Sequence, residues 1–156
     1  AIRYPRGEAC DLWKDQRASI QKGCAEVLAE GTEVALFAIG SMVETAWQVR
    51  KKLAEKGIPT TVVNARFAMP LDKNCLRKLA ESHPLLVTME ENVASGGFGE
   101  HVAAFLEEEA LHTKVLRIAI PDCFVEHGSV GELKKALGLD ADSVTEKILA
   151  ELPEEL

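Results

Sequence analysis

Four short apolar runs, VALFAI, TTVVNA, LLVTME and KVLRIAI, alternate along the chain with stretches of helical spacing. That alternation most constrains the fold, because strand–helix–strand repeats close into a mostly parallel sheet covered by helices. The run Val34–Ile39 is apolar throughout, as a strand covered on both faces must be. In the stretch after it, Val43, Ala46, Val49, Leu53 and Ala54 recur on one helical face. Ser41 and Glu44 have the spacing of a capping box, and Gly57 is the stop. LDKNCLRKLAESH reads as a second helix ended by Pro84, and Gly99 to about Leu111 as a third, with Val102, Ala103, Phe105 and Leu106 inward. SVGELKKAL, with a second capping box at Ser129 and Glu132 and an end at Gly138, and DADSVTEKILAEL close the chain as helices. KGCAEVLAEG and TEVALFAIG flank Gly31 and read as a hairpin, which makes the strand before Gly31 the antiparallel member. The expected fold is a three-layer α/β/α domain on a five-stranded, mostly parallel sheet with one antiparallel strand.

A length of 156 residues suits one domain with a real core. The polar stretch from Glu8 to about Ser19 reads as a loop, and the remainder, 19–156, as the domain. The net charge of −7, with acid heaviest at Glu107–Glu109 and in the Pro153–Leu156 tail, argues against a nucleic-acid partner. No apolar run approaches membrane-spanning length, and no signal peptide is recognised. Cys10, Cys24, Cys75 and Cys123 stand far apart without a CxxC pair, which argues against zinc and for free thiols in a reducing cytoplasm.

Ligands of such sheets gather at the carboxyl ends of the strands, where three segments carry polar chemistry. AIGSMVE places one glycine before a capped helix; this is neither GxGxxG nor a P-loop, and a tight turn with an N-cap accounts for it. In MEENVASGGFGE, Glu90 and Glu91 end a strand and Gly96, Gly97 and Gly99 open a helix. Paired carboxylates can do acid–base work, but neighbours on a strand point to opposite faces. The glycines let another backbone come close, so a structural turn or a domain or subunit contact is the favoured reading. In IPDCFVEHGS, Asp122, Cys123, Glu126 and His127 share a loop, but nothing supplies the base contact and oxyanion hole of a Cys–His hydrolase; His127 reads as a polar contact to a neighbouring domain. His101 and His112, eleven residues apart on or near one helix, stand about 16 Å apart at helical rise and cannot share a metal. The residues alone therefore describe an acidic α/β domain without a complete catalytic constellation.

AIRYPRG, FAIGSMVETA, VNARFAMPLD, LVTMEENVASGGFGEHV, IPDCFVEHG and ALGLDADSVTEKI follow one another in this order. Together they closely resemble the C-terminal domain of the 1-deoxy-D-xylulose-5-phosphate synthases, thiamine diphosphate-dependent enzymes of the transketolase family. The resemblance covers nearly the whole chain apart from Glu8 to about Ser19. It implies a fragment of a cytoplasmic, homodimeric transferase that joins pyruvate to D-glyceraldehyde 3-phosphate, with loss of carbon dioxide, for isoprenoid and thiamine synthesis. It also implies that thiamine diphosphate and Mg²⁺ are held by a GDG…N segment on upstream domains; this chain has no GDG, and no cofactor is expected on the fragment. By the same resemblance, residues 1–18 are the end of the preceding domain and a connecting loop, and Arg6 contacts the acceptor's phosphate. A planar, permanently charged guanidinium suits that task. Arg3 is expected in a structural ion pair. Glu90, Glu91, Gly96, Gly97 and His127 are expected at a domain or subunit contact. Another transketolase-family enzyme and a stand-alone binding or regulatory module are the alternatives.

Overall fold

The computed structural model describes Trp13 and residues 19–153. The expectations for Arg3, Arg6 and Cys10 lie outside the described residues. The elements in chain order are β1 (Glu26–Ala29), β2 (Val34–Ala38), α1 (Met42–Ala54), β3 (Thr60–Asn64), α2 (Lys73–Ser82), β4 (Leu85–Val93), α3 (Phe98–Glu108), β5 (Lys114–Ile120), α4 (Val130–Ala136) and α5 (Ala141–Glu151). They form one five-stranded sheet in the order β1-β3-β2-β4-β5. β2 pairs in parallel with both β3 and β4, and β4 with β5, while β1 runs antiparallel to β3. The expected mostly parallel sheet with one antiparallel strand is the architecture observed.

The hairpin expected around Gly31 does not form. β3 lies between β1 and β2, so the two runs that flank Gly31 are not neighbours. The glycine is required by a close approach rather than by a tight turn. A Cβ there would lie 2.3 Å from the Thr60 backbone nitrogen, and the Gly31 amide donates to Thr61 Oγ1 at 2.8 Å. The incoming strand also presents the Pro59 carbonyl to the amides of Thr32 and Glu33. His83, buried at the end of α2, ties this corner together: Nε2 lies 3.0 Å from the Gly31 carbonyl and 2.8 Å from Thr61 Oγ1.

Period-two alternation of the strands divides the core into two halves. Val34, Leu36 and Ala38 of β2 and Leu85, Val87 and Met89 of β4 pack with α1 and with Leu139, Val144 and Ile148 at α5. Ala35, Phe37 and Leu86 face the other way, onto Leu76 and Leu79 of α2 and Phe98, Val102, Phe105 and Leu106 of α3. These are the three layers. On α1, Met42, Val43, Thr45, Ala46, Val49 and Leu53 are buried. Ala54, expected inward, is exposed because the helix ends there and the chain turns away through Gly57 in the left-handed region, φ +76°.

The helix ends follow backbone chemistry closely. Asp72 caps α2 by accepting from the Cys75 amide at 2.9 Å, and its second oxygen accepts from the Ala25 amide, joining α2 to the approach of β1. The Ser129–Glu132 capping box forms as expected. The Ser41–Glu44 box does not: Ser41 adopts helical angles and its hydroxyl makes no cap bond. Its oxygen is drawn instead to a carboxylate arriving from β4.

Candidate functional site at the carboxyl edge of the sheet

β2 leads through α1 to β3 on one side, while β4 lies on its other side. The chain thus reverses direction across the sheet between β2 and β4, the switch point where open α/β sheets form clefts. A cleft of about 420 Å³ opens there, lined by Ile39, Gly40 and Ser41 from the end of β2, Glu90, Glu91 and Asn92 from β4, and Phe98 and His101 from α3. The helices α1 and α3 both point their amino ends at it.

Parity along β4 sends its two glutamates to opposite faces. Leu86, Thr88 and Glu90 face α3, whereas Leu85, Val87, Met89 and Glu91 face α1. Glu90 is buried at 3 % exposure. Its two oxygens accept from the amides of Phe98 and Gly99, at 2.8 and 2.7 Å, at the start of α3. The first-turn amides of a helix and its dipole favour an anion, and this carboxylate supplies one from inside the chain. The loop must fold tightly around it. A Cβ on Gly97 would lie 2.4 Å from the Val93 carbonyl and 2.7 Å from Glu90 Oε1; one on Gly99 would lie 2.5 Å from Thr88 Oγ1. The close approach that Gly97 permits is therefore met within the chain itself. Gly96 serves differently, with φ +69° and open space around its Cβ position.

Glu91 is exposed beside the cleft. One oxygen accepts from Ser41 at the start of α1, and the other pairs with Lys134 of α4 at 2.6 Å. Partial burial pushes its carboxyl up, but the hydrogen bonds from Lys134 and Ser41 and the lysine's charge outweigh it and hold the group below the usual carboxylate range. The adjacent glutamates border one cleft but turn to opposite faces of β4 and bind different groups, as their strand spacing implies. Asp122, Cys123, Glu126 and His127 are all exposed on the loop between β5 and α4.

Among the described residues, no group of three or more His, Cys, Asp or Glu side chains could hold a metal ion. The paired amides that would suit a diphosphate are occupied by Glu90. None of the helices among the described residues is long and apolar enough to cross a membrane. Cys75, half-buried on α2, has its thiol pushed up to about 11, first by burial and then by Asp72, which outweigh the opposing charge of Lys78.

Sequence reasoning missed two residues that organise this edge. Asp72 had a legible signal, an aspartate directly before a helical run. Lys134 had none, since its partner lies over forty residues away in sequence.

The family model for the transketolase C-terminal domain matches residues 23–144. Curated relatives named 1-deoxy-D-xylulose-5-phosphate synthase include one from Lachnoclostridium phytofermentans, 52% identical over 95% of this chain and 24% of its own length. Another, named 1-deoxy-D-xylulose-5-phosphate synthase 1, from Geobacter metallireducens, is 45% identical over 95% of this chain and 24% of its own. The chain thus spans about a quarter of the length of the curated relatives it matches. Among solved structures, a split-gene transketolase described as an inactive β4 tetramer superposes with a TM-score of 0.80 and 31% identity, covering 85% of this chain and 43% of that one. With the sheet order, the switch-point cleft and the family model in agreement, the chain belongs to the transketolase C-terminal domain family.

Proposed function

We propose that this chain is the C-terminal domain of a 1-deoxy-D-xylulose-5-phosphate synthase. The observation that carries the reading is 52% identity over 95% of the chain to a relative of that name, against 31% to the transketolase structure. The whole enzyme joins pyruvate to D-glyceraldehyde 3-phosphate, releasing carbon dioxide and forming 1-deoxy-D-xylulose 5-phosphate. Thiamine diphosphate, bound with Mg²⁺ on upstream domains, supplies the electron sink for the decarboxylation. The part of this chain is positioning. Arg6 holds the acceptor's phosphate, while Glu91, Gly96 and His127 belong to a carboxyl-edge contact with another domain or subunit, and Glu90 and Gly97, turned inward, shape the loop behind it. Full-length protein is a cytoplasmic homodimer in this reading, and the isolated chain binds no cofactor and makes no product.

The test is steady-state kinetics on the full-length gene product with each substrate varied in turn. Formation of 1-deoxy-D-xylulose 5-phosphate should require both pyruvate and glyceraldehyde 3-phosphate. Arg6→Ala should lower kcat/KM for that acceptor roughly ten- to a hundred-and-fifty-fold, the worth of one hydrogen bond to a charged group. Pyruvate binding should barely change, since pyruvate carries no phosphate, and Arg6→Lys should recover only part of the loss. A full-length protein that forms no deoxyxylulose phosphate, or an Arg6→Ala variant equally impaired for both substrates, would sink the assignment. Saturable calorimetric binding of thiamine diphosphate to the isolated chain would reject the upstream placement of the cofactor.

A further inference from the structure

After β5 the chain leaves the body of the domain. Ile120 is tied to the sheet by its pairing with Val93, and its carbonyl accepts from the Ala94 amide. From there, residues 121–132 are all exposed, Phe124 completely so. α4 follows, and none of its seven residues is buried. A helix that short does not persist in water on its own hydrogen bonds. Its capping box is internal, since Ser129 and Glu132 bond each other. The backbone bonds of the stretch likewise stay within it or reach only Gly138 and Leu139 just behind it. Among the described residues, one polar link joins residues 121–136 to the body, from Lys134 to Glu91 at 2.6 Å. Leu137 then packs against the core, and the chain rejoins the body through Gly138, at φ +66°, and the buried Leu139.

We propose that residues 121–136 form a hinged flap, latched at the rim of the switch-point cleft by Lys134 and Glu91, that unfastens as a unit while the sheet beneath stays folded. Glu91 ties the latch to the cleft. The same carboxylate lines the cleft and accepts from Ser41, another cleft residue. A group in the cleft that takes Ser41 or Glu91 as its partner therefore weakens the hold on Lys134, and release of the flap in turn frees one oxygen of a cleft carboxylate. The side chains of Lys134 and Glu91 are 22% and 36% exposed, so their attraction is modest and screened by salt. A segment held by one such pair, with little apolar surface buried, opens at far smaller cost than the core.

Amide hydrogen exchange of the full-length protein, read by mass spectrometry on peptides covering Leu133–Leu137, tests the flap without reference to activity. Glu91→Gln and Lys134→Met should each speed exchange there about two- to fivefold, the effect of losing one partly exposed ion pair. At about 1 M salt, where the screening length falls to about 3 Å, the wild type should speed up likewise and the two variants should not change further. The swapped pair, Glu91→Lys with Lys134→Glu, should restore most of the protection, which a general loss of stability would not allow. Ser41→Ala should give a smaller rise, because Glu91 then loses the bond that joins it to the cleft wall. The amides of Phe98 and Gly99, held by Glu90 on the other face of β4, should exchange at the same rate in every variant. Unchanged exchange over Leu133–Leu137 in both single variants, or no recovery in the swapped pair, would overturn the latch. Exchange that rises equally at Phe98 and Gly99 would replace the flap by loosening of the whole edge. A flat response to Ser41→Ala would reject the coupling to the cleft.

Discussion

Glu90 and Glu91 are neighbours in sequence and opposites in physics. Glu90 is enclosed and accepts only from backbone amides at the start of α3; Glu91 is exposed and accepts from side chains of α1 and α4. The first bond set is made by groups that cannot move away and cannot reach water. The second is made by a serine and a lysine that water could replace at small cost. Identical carboxylates thus differ in worth because of what would be left behind on their removal.

That contrast can be broken in order of size. Glu90→Ala strands two buried amides, and should lower the unfolding free energy of the chain by about 2–4 kcal/mol. Urea denaturation monitored by circular dichroism measures it, and a loss below that of Glu91→Ala would reverse the ranking. Gly97→Ala should cost about 1–3 kcal/mol, because the new methyl would strike the Val93 carbonyl and the Glu90 carboxylate. Hydrogen exchange of the Phe98 and Gly99 amides should rise with it. If those amides stay protected, the loop has more room than its geometry implies.

Glu91→Gln should cost only about 0.5–1 kcal/mol, as a solvent-screened pair does. Its effect also has a pH signature. The carboxyl is held below its ordinary value of 4.5 in the folded chain, so its contribution is complete above that pH and disappears as pH falls through the lower folded value. The gap between wild type and variant should therefore close on acidification; a gap that widens would remove the ion pair as its cause. Smallest of all is Ser41→Ala. A true N-cap loses about 1 kcal/mol on this change, whereas Ser41 caps nothing and should lose under about 0.5. Thermal unfolding that shows the larger loss would restore the capping box.

The layers were legible because they rest on local periodicity. The alternation within VALFA and LLVTME fixes which strand residues meet which helices, and the same parity separates Glu90 from Glu91. Residues whose partners are distant in sequence were misread. Ser41 has the capping spacing, but its hydroxyl answers a carboxylate fifty residues away. Gly31 has the punctuation of a turn, but it is small so that Pro59 and Thr60 can lie against it. The clamp by Glu90 needs the chain to return on itself after Val93, and no local pattern records which carboxylate will find which amides.

The insertion of β3 between β1 and β2 also sets an order of events during synthesis. A hairpin would let Glu26–Ala29 find its partner within a few residues. Here the partner is Thr60–Asn64, so the first strand leaves the ribosome without a mate and waits while a whole helix is made. Val27, exposed even in the finished sheet, is bare throughout that interval. The ion pair of Glu26 with Arg66 closes the register only once the third strand has passed. Early folding of this domain is therefore governed by loop closure rather than by neighbouring contacts, and the first strand is its late and vulnerable arrival.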